Sequence, residues 1–244
     1  MEHRGGESAM SDKTALVTGG TRGIGRAIAE ALHKRGERVI VTGTKPDGLA
    51  PDGCQYEAID FADGQATAEF ARRVAAMGID ILINNAGINK IAPFAEIDPG
   101  DFAAIQAVNV TAPFLLARAV LGHMKTSGWG RIVNVSSIWG KISRAQRGAY
   151  STSKFALDGM TAALAAEVAA DGILVNCIAP GFIDTELTRR VLGPEGFAKV
   201  VADIPIGRLG KPNEIATFAA WLASPENTYI SGQNIAIDGG FTRV

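Results

Sequence analysis

A chain of 244 residues, 47% of them hydrophobic, can bury a sizeable core and fits a single domain of the α/β size class. Its charges nearly cancel at net −1 and form no block of one sign, which argues against nucleic acid or an anionic membrane as main partner and leaves a small molecule. Only Cys54 and Cys177 are present, far apart and outside any metal-ligand spacing, so neither a disulfide framework nor a metal site is expected.

Residues 1–12 are polar, lack an apolar h-region and read as a flexible lead-in; no later apolar run approaches the ~20 residues of a membrane span, so a soluble, cytoplasmic protein is expected. Residues 13–244 read as one domain without linker or repeat. It opens with a short apolar strand, Ala15 to Thr18, which runs into Gly19-Gly20-Thr21-Arg22-Gly23-Ile24-Gly25 and then a segment of helical composition, Arg26 to Lys34. Strand, glycine turn and helix in that order let the backbone approach a pyrophosphate, which amide groups and the helix dipole then hold; a glycine-rich loop can equally be a structural turn. A second strand, Arg38 to Thr42, follows. Just past it, where a dinucleotide fold sets an acidic residue against the ribose 2′-hydroxyl, stand Gly43, Thr44 and Lys45. Arg22 and Lys45 thus offer two cations to a 2′-phosphate, and NADP(H) is the expected cofactor; the bland alternative is that Lys45 is a solvated loop charge beside Asp47.

Gln55 to Ile59 reads as a third strand ending at Asp60 and Phe61, Gly64 to Met77 as a helix, and Ile79 to Ile83 as an apolar fourth strand ahead of Asn84-Asn85-Ala86-Gly87. Strands alternating with helices imply a parallel sheet buried on both faces. A helix from Asp101 to Met124 carries Asn109 in its interior, and a strand from Arg131 to Val135 delivers Ser136 and Ser137 at its C-terminal end, where ligands of such sheets sit. After a helix at Ala149 to Ala170 comes a strand, Ile173 to Ile178, running into Pro180-Gly181. A helical stretch from Glu186 to Asp203, broken at Gly193-Pro194, makes about 186–210 a candidate lid. Pro212 starts a helix at Asn213 to Ala223, and Asn234 to Ile237 is the last strand.

Tyr150 and Lys154 are four residues apart in a helical segment, so they share a face and a cation lies near a phenol. A phenol with a pKa of about 10 is a poor acid or base at neutral pH until a neighbouring positive charge favours the phenolate. Taken alone, Tyr-x-x-x-Lys is an ordinary pair on a helix surface.

With these elements in place the sequence resembles the short-chain dehydrogenase/reductase family from about Lys13 to Val244, through Thr18 to Gly25 (TGGTRGIG), Asp60, Asn84 to Gly87 (NNAG), Asn109, Ser137, Tyr150 to Lys154 (YSTSK), Pro180-Gly181 and the GRLGKPNEIA to DGG tail, all in the family's order. The resemblance implies a single-domain, Rossmann-type, doubly wound and mostly parallel seven-stranded sheet with helices on both faces, a nicotinamide cofactor, and a tetrad of Asn109, Ser137, Tyr150 and Lys154. In that tetrad Tyr150 is the general acid or base, Ser137 bonds the reacting oxygen, Lys154 lowers the Tyr150 pKa and bonds the nicotinamide ribose, and Asn109 anchors a water that relays protons to Lys154. It also implies a cofactor site with Gly19, Thr21, Arg22, Gly23, Ile24 and Gly25 at the phosphates, Thr44 and Lys45 near the 2′ position, and Asp60 and Phe61 at the adenine. Asn85, Ala86 and Gly87 would line the ribose, and Pro180, Gly181, Ile183 and Thr185 the nicotinamide. Ser136 competes with Ser137; the spacing of thirteen to Tyr150 favours Ser137 by resemblance. His3, His33 and His123 fall outside every motif, which removes a Ser-His-Asp hydrolase reading.

Within the family the pattern is similar to 3-oxoacyl-[acyl-carrier-protein] reductases, with two departures. Gly128 and Asp171 stand where basic residues would dock an acidic carrier protein, so that docking is not expected, and the stretch between Thr44 and Asp60 is short, so the second helix is expected as a loop. Asn89, Lys90, Phe94, Trp139, Ser143, Arg144, Gln146 and Arg147 around the predicted site suit a polar or acidic carbonyl as well as an acyl chain, leaving sugar or polyol dehydrogenases as the alternative. A non-catalytic nucleotide-binding regulator is the reading from another class, opposed by the intact tetrad. The resemblance also implies a homotetramer.

Overall fold

The computed structural model describes residues 13–243; the lead-in expected at residues 1–12 lies outside them. The strands are β1 (Thr14–Val17), β2 (Arg38–Gly43), β3 (Gln55–Ala58), β4 (Ile81–Asn84), β5 (Gly130–Val135), β6 (Ile173–Pro180) and β7 (Asn234–Ile237). The helices are α1 (Gly23–Lys34), α2 (Gly64–Val74), α3 (Pro99–Gln106), α4 (Ala112–Ser127), α5 (Gly148–Val168), α6 (Glu186–Asp203) and α7 (Pro212–Leu222). All seven strands pair in parallel, in the order β3-β2-β1-β4-β5-β6-β7, so the strand order reverses between β1 and β4. At such a reversal the loops leaving the two strands diverge, which opens a crevice at their C-terminal ends.

The sheet is sealed on both sides because β1, β4 and β5 are buried along their whole length. On one side α1 and α7 lay Ile28, Leu32, Ile215 and Ala219 over Val17, Val41, Ile83 and Val133. On the other, α2, α4 and α5 lay Phe70, Leu116, Val120, Met124 and Val168 over Leu16, Leu82, Ile132 and Val175. Each of the larger side chains among these contributes about 1.5–3 kcal/mol on leaving water. Local chemistry sets the helix starts: the Asp63 carboxylate accepts from the amides of Gln65 and Ala66, that of Asp98 from Gly100 and Asp101, and Pro99 and Pro212 occupy first turns, where no N–H is needed.

Three differences from the sequence expectations, and one agreement with them, matter. Helix α1 begins at Gly23, not Arg26, so the end of the glycine turn is already the first helical turn. The expected helix Asp101 to Met124 extends from Pro99 to Ser127 and is interrupted by a π-turn, Ala107–Thr111, in which the Ala112 amide reaches back five residues to the Ala107 carbonyl. Pro113 explains the interruption: without an N–H it cannot bond the carbonyl of Asn109, and its ring crowds that turn. That Pro99–Ser127 run is long and apolar enough to cross a membrane by length and composition alone, with 44% of its most apolar window buried, which corrects the expectation that no run approaches such a length. Finally, α6 contains a break at Gly193, whose φ of 61° and ψ of 177° are open only to glycine, in agreement with the break expected there.

Candidate active site

Strand β5 ends at Val135 and releases two serines that the fold separates. Ser136 is buried and donates its hydroxyl to the carbonyl of Lys154 at 3.1 Å, which commits it to holding the strand end against α5. Ser137 caps a short 3-10 turn, accepting from the Trp139 amide at 3.2 Å, and its hydroxyl faces the phenol of Tyr150, whose pKa it lowers. Lys154, one turn beyond Tyr150 on α5, is 3% exposed; its ammonium donates to the carbonyl of Val135 at 2.8 Å and lies 5.5 Å from the centroid of the Tyr150 ring.

Burial raises the Tyr150 pKa above its usual value, opposed by the hydrogen bond with Ser137 and then by the charge of Arg147. Burial also lowers Lys154 to about 8. The expectation that Lys154 brings the phenol down therefore changes in form: the charge acting on the phenol is that of Arg147, while Lys154, though lowered by its own desolvation, stays mainly protonated at neutral pH.

Asn109 lies in the π-turn, fully buried, and its side chain is spoken for: Oδ1 accepts from the Ile88 amide at 2.9 Å, and Nδ2 donates to the Ile88 carbonyl at 2.9 Å and to Ser153 Oγ at 3.0 Å. Ser153 in turn donates to the Tyr150 carbonyl at 2.7 Å. Sequence reasoning missed Ser153; its place between Tyr150 and Lys154 in YSTSK was the available signal. A side chain begun at Gly87 would start 3.4 Å from Asn109 Oδ1 and 3.6 Å from Lys154 Nζ, so the loop after β4 and the tetrad border one space.

The glycine turn fits an anionic nucleotide. No side chain caps the amides at the start of α1, and its first turn carries no acidic residue, so unpaired N–H groups and the positive end of the helix dipole face outward. The turn is closed by backbone: a Cβ on Gly25 would sit 2.3 Å from Asn85 Nδ2 and 2.4 Å from the Gly19 carbonyl. Thr185 stands against it, its methyl 3.7 Å from where a Gly23 Cβ would lie. Arg22 and Lys45 are exposed, and neither has a carboxylate partner among the described residues. The loop carrying Thr44 and Lys45 contains no helix, as expected from its length, and is tethered by Tyr56, which donates to the Lys45 carbonyl at 2.5 Å. Tyr56 was not singled out from the sequence.

Several other expected cofactor residues are engaged in ways sequence did not foresee. Asn85 Nδ2 donates to the carbonyls of Thr18 (2.9 Å) and Gly19 (3.1 Å), and the amides of Asn85 and Ala86 both donate to Thr18 Oγ1 at 2.9 Å. The side chain expected at the ribose is therefore a staple between the glycine turn and the loop after β4. Phe61 is 5% exposed and its ring meets Phe70 edge-on at 6.0 Å, so its side chain belongs to the core and its backbone is what it can present to an adenine. Asp60 uses Oδ1 to accept from the Ala62 amide, forming its own turn. At the far end, Gly181 donates to the Ile237 carbonyl at 3.0 Å, Ile183 is buried, and Thr185 caps α6. Of the polar residues placed around the site, Lys90 is neutralised by Asp101. No metal-ligand cluster occurs among the described residues.

The family model described as enoyl-(acyl carrier protein) reductase matches residues 19–242. The chain is 39% identical over 245 residues to the 3-oxoacyl-[acyl-carrier-protein] reductase FabG of Vibrio cholerae, covering 95% of this chain and 98% of that protein. Among solved structures it is similar to a gluconate 5-dehydrogenase from Burkholderia cenocepacia in complex with NADP and tartrate, with a TM-score of 0.88, 31% identity, and 96% and 97% of the two chains covered. It is also similar to a 3-oxoacyl-(acyl-carrier-protein) reductase from Agrobacterium tumefaciens with NADP bound, with a TM-score of 0.86, 32% identity, and 95% of each chain covered.

Proposed function

The chain belongs to the short-chain dehydrogenase/reductase family and is an NAD(P)-dependent oxidoreductase, and from that premise we propose that it reduces the keto group of 3-oxoacyl-thioester-like substrates with Asn109, Ser137, Tyr150 and Lys154 as its catalytic groups. The observation that carries this reading is the division of labour between two adjacent serines: Ser136 is held by the Lys154 carbonyl, and Ser137 is left facing the Tyr150 phenol. Two hydroxyls thus converge where one carbonyl oxygen can accept from both.

The nicotinamide, when bound, supplies the hydride or takes it back. Tyr150 gives its phenolic proton to the carbonyl oxygen, and Ser137 donates a second hydrogen bond to the charge developing there. Lys154, lowered to about 8, is still mainly protonated at pH 7, and with its ammonium 5.5 Å from the centre of the phenol ring it would return the proton through a bridging water. Asn109 lies in the π-turn, where Pro113 offers its carbonyl no N–H four residues on, and in this reading that carbonyl anchors a water on the path.

The amides and glycines of Gly19 to Gly25 hold the nucleotide phosphates, Arg22 with Lys45 and Thr44 the 2′-phosphate, so NADPH is preferred over NADH. The backbone at Asp60 and Phe61 borders the adenine, Asn85 to Gly87 the ribose, and Pro180, Gly181, Ile183 and Thr185 the nicotinamide. We take residues 13–244 as one catalytic domain with about 186–210 as lid; the break at Gly193 and a separate small apolar cluster of Val200, Ile204 and Leu209 against Phe182 and Phe241 support this. A cytoplasmic homotetramer is the proposed state. Docking of an acidic carrier protein is weak in this reading, because Asp171 stands at the docking place and is paired with Lys125 at 3.1 Å.

A second reading, a dehydrogenase of sugar acids or other small polar ketones, is favoured by Arg144 and Arg147 beside the site and by the gluconate 5-dehydrogenase relative. The deciding experiment gives the purified protein acetoacetyl-CoA, neutral ketones and polyols with each nucleotide, alongside Tyr150→Phe. Turnover in the parent, and a loss of at least ~100-fold in Tyr150→Phe with nucleotide binding retained, is the expected result. A parent-like rate in Tyr150→Phe overturns the catalytic assignment.

A further inference from the structure

We propose, as a deepening of the second reading and against the thioester one, that Arg147, assisted by Arg144, binds a carboxylate carried by the substrate a few atoms from its reacting carbonyl, so that oxo acids are preferred over their neutral counterparts. The guanidinium carbons of Arg144 and Arg147 lie 5.6 and 5.8 Å from the centroid of the same ring, Trp139. That ring is a fixed platform: it is 7% exposed and held edge-on by Phe182 at 6.1 Å and Phe241 at 6.2 Å. Cation–π attraction keeps both arginines on it, while their like charges oppose each other.

Neither arginine side chain has a hydrogen-bond or carboxylate partner among the described residues, whereas Lys90 is paired with Asp101, Arg189 with Asp184 and Arg208 with Glu214. Arg147 is also partly buried, where an unpaired guanidinium is costly, and burial followed by the charge of Arg144 lowers its pKa. The backbone between them is strained as well: Gln146 has a φ of 67° and is the one non-glycine residue with positive φ among the described residues. Strain of this kind persists where surrounding structure enforces it and collects at functional sites. A carboxylate turns the opposition of the two arginines into a shared attraction, in the fork geometry that guanidinium groups match.

The position fixes which anion. Arg147 lies three residues before Tyr150 and its charge acts on the phenol, so a group it holds is near the reacting carbonyl. The phosphates of a thioester carrier are separated from their carbonyl by the whole pantetheine arm and do not suit this place. The inference rests on the assignment of Tyr150 to the carbonyl only in its turnover arm.

Two measurements test it on the NADP(H)-loaded protein, with the parent, Arg147→Gln, Arg147→Lys and Arg144→Gln. The first is kcat/KM for a series of oxo acids of four to six carbons against their methyl esters. Because Arg147 also acts on Tyr150, the readout is the acid-to-ester ratio, in which that effect cancels. The expected ratio is at least tenfold in the parent, carried by KM, near one in Arg147→Gln and intermediate in Arg147→Lys and Arg144→Gln. The second is calorimetric titration with tartrate at constant ionic strength, where Arg147→Gln is expected to weaken binding at least tenfold. Equal loss on acid and ester means that Arg147 acts only through Tyr150, and overturns the proposal. Ketone reduction without acid preference, with tartrate binding unchanged in Arg147→Gln, also overturns it while leaving the oxidoreductase reading intact. If no ketone in the series is reduced but tartrate binding still depends on Arg147, the anion site stands and the substrate reading above falls.

Discussion

Asn109 and Ile88 exchange two hydrogen bonds, Ile88 N–H to Oδ1 and Nδ2 to the Ile88 carbonyl, both 2.9 Å, as two paired strands would. A side chain thus supplies a backbone-like pairing that fixes the loop after β4 against the π-turn. Asn109→Ala leaves both Ile88 groups and Ser153 without this partner, and a loss of about 1–3 kcal/mol in unfolding free energy is expected, together with a fall in activity. Denaturant titration reads the first; a parent-like midpoint would show that these bonds hold nothing.

At the glycine turn, Gly25→Ala places a methyl group 2.3 Å from Asn85 Nδ2 and 2.4 Å from the Gly19 carbonyl, and the backbone carbonyl cannot swing aside as a side chain can. The Asn85 staple must open and the turn must move. Nucleotide affinity is expected to drop at least tenfold, measured by fluorescence titration with NADPH, and stability to fall with it. Unchanged affinity would mean that the phosphates do not use this turn.

Lys154 gives the stability a pH signature. Its folded value of about 8 lies below the ordinary 10.5, so between those values the unfolded chain binds a proton that the folded chain does not. Stability contributed by this group therefore rises with pH across that window, and below about 8 the fold bears the cost of a buried charge. In Lys154→Met the rise should vanish, so that the difference between variant and parent shifts in the parent's favour from pH 7 to pH 10. Parallel pH curves for the two proteins would refute it.

The 2′-phosphate reading predicts that NADPH binds roughly ten- to a hundredfold more tightly than NADH, since charge-assisted bonds of about 1.5–3 kcal/mol each are only partly realised at exposed side chains. Replacing both Arg22 and Lys45 by Ala should erase that preference and leave NADH affinity largely as it was. Equal affinities in the parent, or equal loss of both nucleotides in the variant, would remove these residues from the 2′ position.

For assembly, Phe102, Phe114 and Phe155 are 39%, 51% and 46% exposed on α3, α4 and α5, which leaves apolar outer surface on these helices, α4 and α5 already covering the sheet with their inner sides. A tetrameric mass by light scattering is expected at micromolar concentration, with dissociation when Phe114 and Phe155 are both changed to Asp. A monomeric parent would end this reading.

The order of strands and helices, the glycine turn and the break at Gly193 were legible in the sequence, because apolar periodicity, proline and glycine act over a few residues. Pro113 also encodes the π-turn at Asn109, through the donor it lacks four residues on, a signal present in the sequence that the expectation of an unbroken helix passed over. What only the tertiary structure decided is how groups distant in sequence divide their hydrogen bonds and charges. Ser136 is diverted by the Lys154 carbonyl while Ser137 faces Tyr150, Asn85 is drawn to Thr18 and Gly19, Phe61 is taken by the core, and Lys90 is cancelled by Asp101 while the charge of Arg147 acts on the phenol. Each of these depends on which partner lies within about 3 Å and on how much water is excluded around it, and both are fixed only when the strands and helices have packed.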